Sequence, residues 1–354
     1  MRRPRRSVTA RAGVRGARGK GASRHGESTG DRRGRAACGR RRFITYFIRR
    51  ADAQPGRIGR RLAAVGIGAT ALTIGGSAAL AHYLTRPRGL RRVPLRAVDD
   101  SMTPVGFQTD DGLTIDGWYL AHPDACDALV FCHGYAMNRH ELLDVARGLQ
   151  ARGHAVLLFD FRAHGTSEGL RSTIGLRETR EIAAAVDFLQ ARPELAGRPI
   201  GVAGISMGAA AALLATARDP RIGAVAADSS FATLEEIAAQ SVRAFCRLLS
   251  FPFTPLILRF GEYLTAERIR AHRPIDALAA IAPRPILLIH DETDRFIPVA
   301  HSRALFAAAS EPKECWITPC LGHASLWSHR ADEYVARLDD FFTRSLANTK
   351  AQAA

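Results

Sequence analysis

The sequence predicts an α/β fold, in which a mostly parallel sheet of eight strands has helices on both faces, carries a small helical insertion, and follows an N-terminal hydrophobic helix. Three observations predict it. From Thr103 onward, short apolar runs alternate with longer helical stretches, the pattern of parallel strands joined by crossover helices. Asp110-Asp111-Gly112 separates the first two runs, Val105-Thr109 and Leu113-Leu120, as a hairpin turn would, so the sheet starts antiparallel. Farther along, the apolar run Pro199-Ala203 meets the Ala/Leu-rich stretch Ala209-Arg218 through Gly204-Ile205-Ser206-Met207-Gly208. A strand, a sharp turn and a helix thus hold one serine at an apex, where flanking glycines leave room for the chain to reverse and the hydroxyl stands exposed above the sheet's carboxyl edge.

The segment ahead of the first strand is read from charge. The chain of 354 residues has a net charge of +16, a balance that raises nucleic-acid binding. Residues 1–61, however, hold twenty Arg and Lys against Glu27, Asp31 and Asp52, and the remainder is nearly neutral. The basic character belongs to an Arg/Gly/Ala-rich tail with too little apolar surface to offset ordering entropy, so a disordered tail is expected there and a nucleic-acid partner is not. Residues 62–84, LAAVGIGATALTIGGSAALAHYL, contain no Asp, Glu, Lys or Arg and are long enough to cross a bilayer. A single-pass anchor is the expectation, with a cleaved signal and a buried helix as the competing readings of so Ala/Gly-rich a stretch. Five arginines flank it closely on each side, so local charge does not orient it. Retaining the basic tail in the cytoplasm favours a following domain on the other side. A linker at 85–99 leads into a domain at 100–346, with 347–354 as a tail.

Within that domain the expected elements are a strand at Ala128-His133, a helix at Arg139-Arg152, a strand at Ala155-Phe161 and a helix at Leu176-Ala191. After the serine turn come a strand at Ala224-Asp228, an insertion at about 231–282, a strand at Pro285-His290, a helix from Val299, a strand at Glu314-Thr318 and a final helix near Ala331-Leu346. The five cysteines beyond residue 84 are odd in number and lack metal-ligand spacing, so neither a disulfide framework nor a zinc site is implied. No Walker motif or strand-linked G-x-G-x-x-G is present, and no cofactor is expected. No residue pattern addresses oligomeric state.

Several motifs recur in one order: Phe131-Cys132-His133-Gly134, Asp160-Phe161-Arg162-Ala163-His164-Gly165-Thr166-Ser167, the serine pentapeptide, His290-Asp291-Glu292-Thr293-Asp294, and Gly322-His323. With these, residues 100–346 resemble the α/β-hydrolase superfamily, and more narrowly its serine aminopeptidase-like and monoacylglycerol-lipase-like esterases, some of which are membrane-anchored. The resemblance implies Ser206 as nucleophile, His323 as general base and then acid, and Asp294 as the carboxylate that orients the histidine. It also implies an oxyanion hole made of the backbone N–H groups of Met207 and Tyr135. Rival readings stay open. Asp294 also suits a helix cap, Asp228 ends the sixth strand where related folds can place the acid, and Asp291 stands where relatives usually have glycine. His133, His164 and His290 read as loop-ordering hydrogen bonders.

The function expected is hydrolysis of an ester, thioester or amide through an acyl-enzyme. The apolar Leu248-Leu258 in the insertion and the neighbouring anchor point to a lipid-like or amphiphilic ester, Leu248-Leu258 serving either as an acyl pocket or as packing. Two alternatives are an acyltransferase with the same residues and a non-catalytic membrane-tethered binding or scaffold module.

Overall fold

A computed structural model describes residues 55–87, 102–319 and 322–353. Most of the basic tail, most of the expected linker, and Cys320 and Leu321 lie outside the described residues. The chain divides into two units, Met1–Ala64 and Val65–Ala354. Only the opening turns of α1 (Pro55–Leu84) are described in the first. This helix starts earlier than the expected Leu62. Pro55 suits a helix's first turn, where its missing N–H costs nothing, and nothing between it and Leu62 breaks the helix.

In the second unit eight strands form one sheet in the order β1-β2-β4-β3-β5-β6-β7-β8. They are β1 (Thr103–Gln108), β2 (Thr114–Leu120), β3 (Ala128–Cys132), β4 (Ala155–Phe159), β5 (Ile200–Ile205), β6 (Ile222–Asp228), β7 (Ile286–Asp291) and β8 (Lys313–Thr318). The Asp110-Asp111-Gly112 turn makes β2 antiparallel to β1, and β2 is also antiparallel to β4. All other pairings are parallel, as with Val130 beside Val202. Every residue of β3, β4, β5, β6 and β7 is buried, which explains continuous apolar runs where a half-exposed sheet would alternate.

Two helical layers bury the two faces. Val130 and Cys132 pack with Val186 of α3 (Glu178–Gln190) and Leu213 of α4 (Met207–Arg218). Their neighbours Leu129 and Phe131 face the other way, toward Leu149 of α2 (Leu143–Gln150) and Phe342 of α8 (Ala331–Ala353). Each fully buried Leu or Phe contributes about 1.5–3 kcal/mol, so the sheet is fixed from both sides. Between β6 and β7 the chain forms α5 (Leu234–Ala244) and α6 (Ser250–Thr265); α7 (Ala300–Ala308) follows β7. Helix α8 continues past the expected Leu346, because residues 347–353 hold no Gly or Pro to stop it.

The Asp160-Ser167 segment, read as structural from sequence, is a buried polar knot. Asp160 accepts from the Arg139 and Thr166 backbone N–H groups at 2.7 and 3.0 Å, and Ser167 donates to its carbonyl at 2.6 Å. At the opposite edge of the sheet, buried His154 lies between two carboxylates, 2.6 Å from Asp127 Oδ1 and 2.9 Å from Asp339 Oδ1. Burial opposes the charged ring, but the hydrogen bonds and charges of Asp127 and Asp339 outweigh it and raise the His154 pKa. The unfolded chain gives up its His154 proton near pH 6.5 and the folded chain at a higher pH. The stabilisation is therefore complete below about 6.5 and disappears as pH rises through the folded value. His154→Gln is expected to cost about 1–3 kcal/mol below pH 6 and less at pH 9, as measured by urea unfolding of both proteins at the two pH values.

Candidate active site

The glycines of the serine turn are required by close approach. A Cβ on Gly204 would lie 2.4 Å from the Gly208 carbonyl oxygen, and one on Gly208 would lie 2.2 Å from the carbonyl oxygen of Cys132. The turn between β5 and α4 forces Ser206 into φ 53°, ψ −116°, outside the regions comfortable for a side-chain-bearing residue. Neighbours hold it there. Its N–H donates to the Asp228 carbonyl at 2.8 Å, and its carbonyl accepts from Ala210 at 3.1 Å. The Ser206 side chain makes no capping bond to α4.

Ser206 Oγ instead lies 3.0 Å from His323 Nε2, and His323 Nδ1 lies 2.7 Å from Asp294 Oδ2. The second oxygen of Asp294 accepts the N–H groups of Phe296 and Ile297, each at 2.8 Å. Burial alone would raise the Asp294 pKa. Hydrogen bonds from His290 and His323, together with imidazole charge, reverse that and hold it well below the usual carboxylate range. An ionised carboxylate only accepts, so the proton of neutral His323 sits on Nδ1 and its Nε2 faces the serine as an acceptor.

The rival carboxylates are engaged elsewhere. Asp291 Oδ1 accepts from the backbone and hydroxyl of Thr293 at 2.8 and 2.5 Å. Asp228 is buried below the serine, accepts from Ser229 Oγ at 2.8 Å, and is pushed up to about 6 by burial. The other histidines order loops. His133 accepts from Phe161 N–H at 3.0 Å, His164 Nδ1 meets the Arg162 carbonyl at 2.9 Å, and His290 spans Ser302 and the Ile297 carbonyl. The loop after β3 runs beside the serine, since a Cβ on Gly134 would come 3.5 Å from Ser206 Cβ. Tyr135 follows it, and Met207 opens α4, where first-turn N–H groups have no partner within the helix.

The sequence pattern places the serine hydroxyl in the open, whereas Ser206 is 7% exposed. It lies on the wall of an almost wholly apolar cavity of about 260 Å³. Leu234, Ile237 and Val242 of α5 and Ile257 of α6 enclose it, with Phe296 next to His323 and Leu80 and Leu84 of α1. Of the apolar stretch Leu248-Leu258, only Ile257 reaches the cavity. Leu249 and Phe251 are each 78% exposed. A larger cleft of about 550 Å³, between Arg259, Glu267 and Arg270, is walled largely by charged groups and holds no serine or cysteine. Among the described residues, no group of three or more His, Cys, Asp or Glu is gathered so as to hold a metal ion.

A sheet of this order, antiparallel at its first edge and parallel beyond, with a serine at the turn after β5, is that of the α/β hydrolases. The profile of the alpha/beta hydrolase family matches residues 129–337, and the chain belongs to that family. Protein YqkD of Bacillus subtilis is 31% identical over 65% of this chain and 75% of its own length. Polyketide transferase ATR5 of Stachybotrys chlorohalonatus is 29% identical over 68% of this chain and 97% of its own. Among solved structures, the Pyrococcus furiosus esterase Pf2001 superposes with a TM-score of 0.59 at 25% identity, covering 72% of this chain and 97% of that one. This esterase-like fold supports hydrolase activity.

Proposed function

We propose that this chain is a serine hydrolase acting through an acyl-enzyme, with Ser206 as nucleophile, His323 as general base and then acid, and Asp294 as the group that orients and stabilises the histidine. The observation that carries this reading is the unbroken path Ser206 Oγ–His323 Nε2 and Nδ1–Asp294 Oδ2, at 3.0 and 2.7 Å. Serine at its ordinary pKa is a poor nucleophile, and an acceptor imidazole at hydrogen-bond distance removes its proton as the bond to the acyl carbon forms. The imidazolium so created faces an ionised carboxylate. It then returns the proton to the leaving group, and water repeats the cycle to release the acid. Backbone N–H groups of Met207 and Tyr135 receive the oxyanion, each worth about 3 kcal/mol in comparable sites.

The apolar cavity beside Ser206 favours the acyl part of a lipid-like or amphiphilic ester over a charged peptide, which would be desolvated there without a partner. The domain division proposed is that of the sequence reading, in which residues 231–282 serve as a cap over the serine. Helix α1 is long and apolar enough to cross a membrane, which supports a single-pass anchor, and the basic residues 1–61, costly to translocate, favour a catalytic domain outside the cytoplasm. Transfer of the acyl group to an alcohol or amine is the second reading, favoured by the likeness to a polyketide transferase.

The test is labelling with a fluorophosphonate probe in membrane and soluble fractions of cells expressing the full chain. Labelling of wild type in the membrane fraction, lost in both Ser206→Ala and His323→Ala, is the expected result. A folded wild-type protein that takes no label would overturn the catalytic reading and leave a binding or scaffold role.

A further inference from the structure

Helix α1 does more than precede the enzyme. Over Val65–Gly76 it is largely exposed, but its last two turns change character: Ser77 and Ala81 are each 1% exposed, and Thr85, just past its end, is 4% exposed. Ala81 packs with Val242 and Ile257 of the insertion, and Leu80 and Leu84 join the same cluster. The carbonyls that a helix leaves unpaired at its C-terminus are normally met by water or a cap. Here the folded domain meets them. Tyr135 Oη donates to the Leu84 carbonyl at 2.7 Å and the Ser172 N–H donates to the Thr85 carbonyl at 2.9 Å, while Arg171 Nη1 donates to Thr85 Oγ1 at 2.7 Å. Three separate donors on two loops fix this end in place.

The place where it is fixed is the cavity that holds Ser206. Leu80 and Leu84, one helical turn apart on one face, line that cavity together with Val242 and Ile257. Tyr135 lines it too, and its own backbone N–H is the proposed oxyanion donor. We infer that the last two turns of α1 are a wall of the active site, and that Leu80 and Leu84 select the substrate by gripping a single acyl chain between the helix and the insertion. The inference rests on the serine-hydrolase reading above and adds its specificity element. A chain lying against Leu80 and Leu84 loses water from both sides, whereas an acetyl group buries far less apolar surface in the cavity. Discrimination therefore grows with chain length.

The experiment uses the full chain in detergent and measures kcat/KM for p-nitrophenyl acetate, octanoate and dodecanoate. Leu80→Trp fills the cavity and is expected to lower the octanoate-to-acetate ratio about tenfold or more. Leu84→Ala enlarges it and is expected to raise the dodecanoate-to-octanoate ratio about threefold. Leu72→Trp, on the exposed part of the same helix, is expected to leave both ratios at wild-type values. Ratios unchanged in both cavity variants, with Ser206 still labelled by fluorophosphonate, would overturn the inference and leave the hydrolase reading intact. If Leu80→Trp fails to fold, the Leu84→Ala ratio decides alone. Wild-type protein that neither labels nor hydrolyses any ester is a different outcome, the failure of the underlying reading.

Discussion

On the proposed mechanism, Ser206→Ala is expected to lower kcat by about 10⁶-fold and Asp294→Asn by about 10⁴-fold, the losses seen when triad members of Ser-His-Asp hydrolases are removed. The asparagine result follows from the geometry around Asp294. Its Oδ1 accepts two backbone N–H groups, from Phe296 and Ile297, so the amide oxygen of the substituted side chain must occupy that side. The amide nitrogen then faces His323 Nδ1 and donates to it. With Nδ1 forced to accept, the neutral ring carries its proton on Nε2, toward Ser206, where it can no longer take one. Size and packing are conserved, so the fold should survive and the loss should fall on kcat. Asp228→Asn is the informative control, because Asp228 also lies near the site but hydrogen-bonds Ser229. Its cost should be far below that at Asp294. Equal losses at the two positions would reassign the acid. Steady-state kinetics of the three variants, with fluorophosphonate labelling and a thermal melt of each, separates these outcomes.

Much of this architecture was legible because it is local. The buried strands announce themselves as unbroken apolar runs, and the serine turn is encoded by Gly204 and Gly208 within five residues. Which partner each of three nearby carboxylates takes was not legible from local pattern. Asp228, Asp291 and Asp294 sit at or just past strand ends, and only backbone direction after β7 turns Asp291 toward Thr293 and Asp294 toward His323. The cavity was the least legible part. Leu248-Leu258 is the most conspicuous apolar segment of the insertion, yet Leu249 and Phe251 face outward. Other liners come from scattered places, among them α5, Phe296 after Asp294, and Leu80 and Leu84 at the end of a helix read from composition as a membrane anchor. The Tyr135–Leu84 bond joins residues 51 apart, and no periodicity within either segment predicts such a contact.

Gly208→Ala is expected to cost stability and activity together. The new Cβ would lie 2.2 Å from the Cys132 carbonyl oxygen, 2.6 Å from the Cys132 carbonyl carbon and 2.6 Å from the His133 carbonyl oxygen. All three are backbone atoms at the end of a central strand and the start of the Gly134-Tyr135 loop, so no side-chain rotation relieves the overlap. Only a shift of α4 away from β3 can do so, and that helix carries Met207 while the loop carries Tyr135. Overpacking of this kind costs about 1–3 kcal/mol and sometimes more. The same displacement moves two proposed oxyanion donors apart, a loss of up to about 10²–10³-fold in kcat for each donor misplaced. Gly106→Ala supplies the comparison, since a Cβ there meets nothing nearer than 3.9 Å, and only a small change in stability and none in kcat is expected. Urea unfolding and kcat measured on the two variants test this. A Gly208→Ala enzyme as stable and as active as wild type would mean that α4 moves freely against β3, and a serine turn that loose would not hold Ser206 at its positive φ.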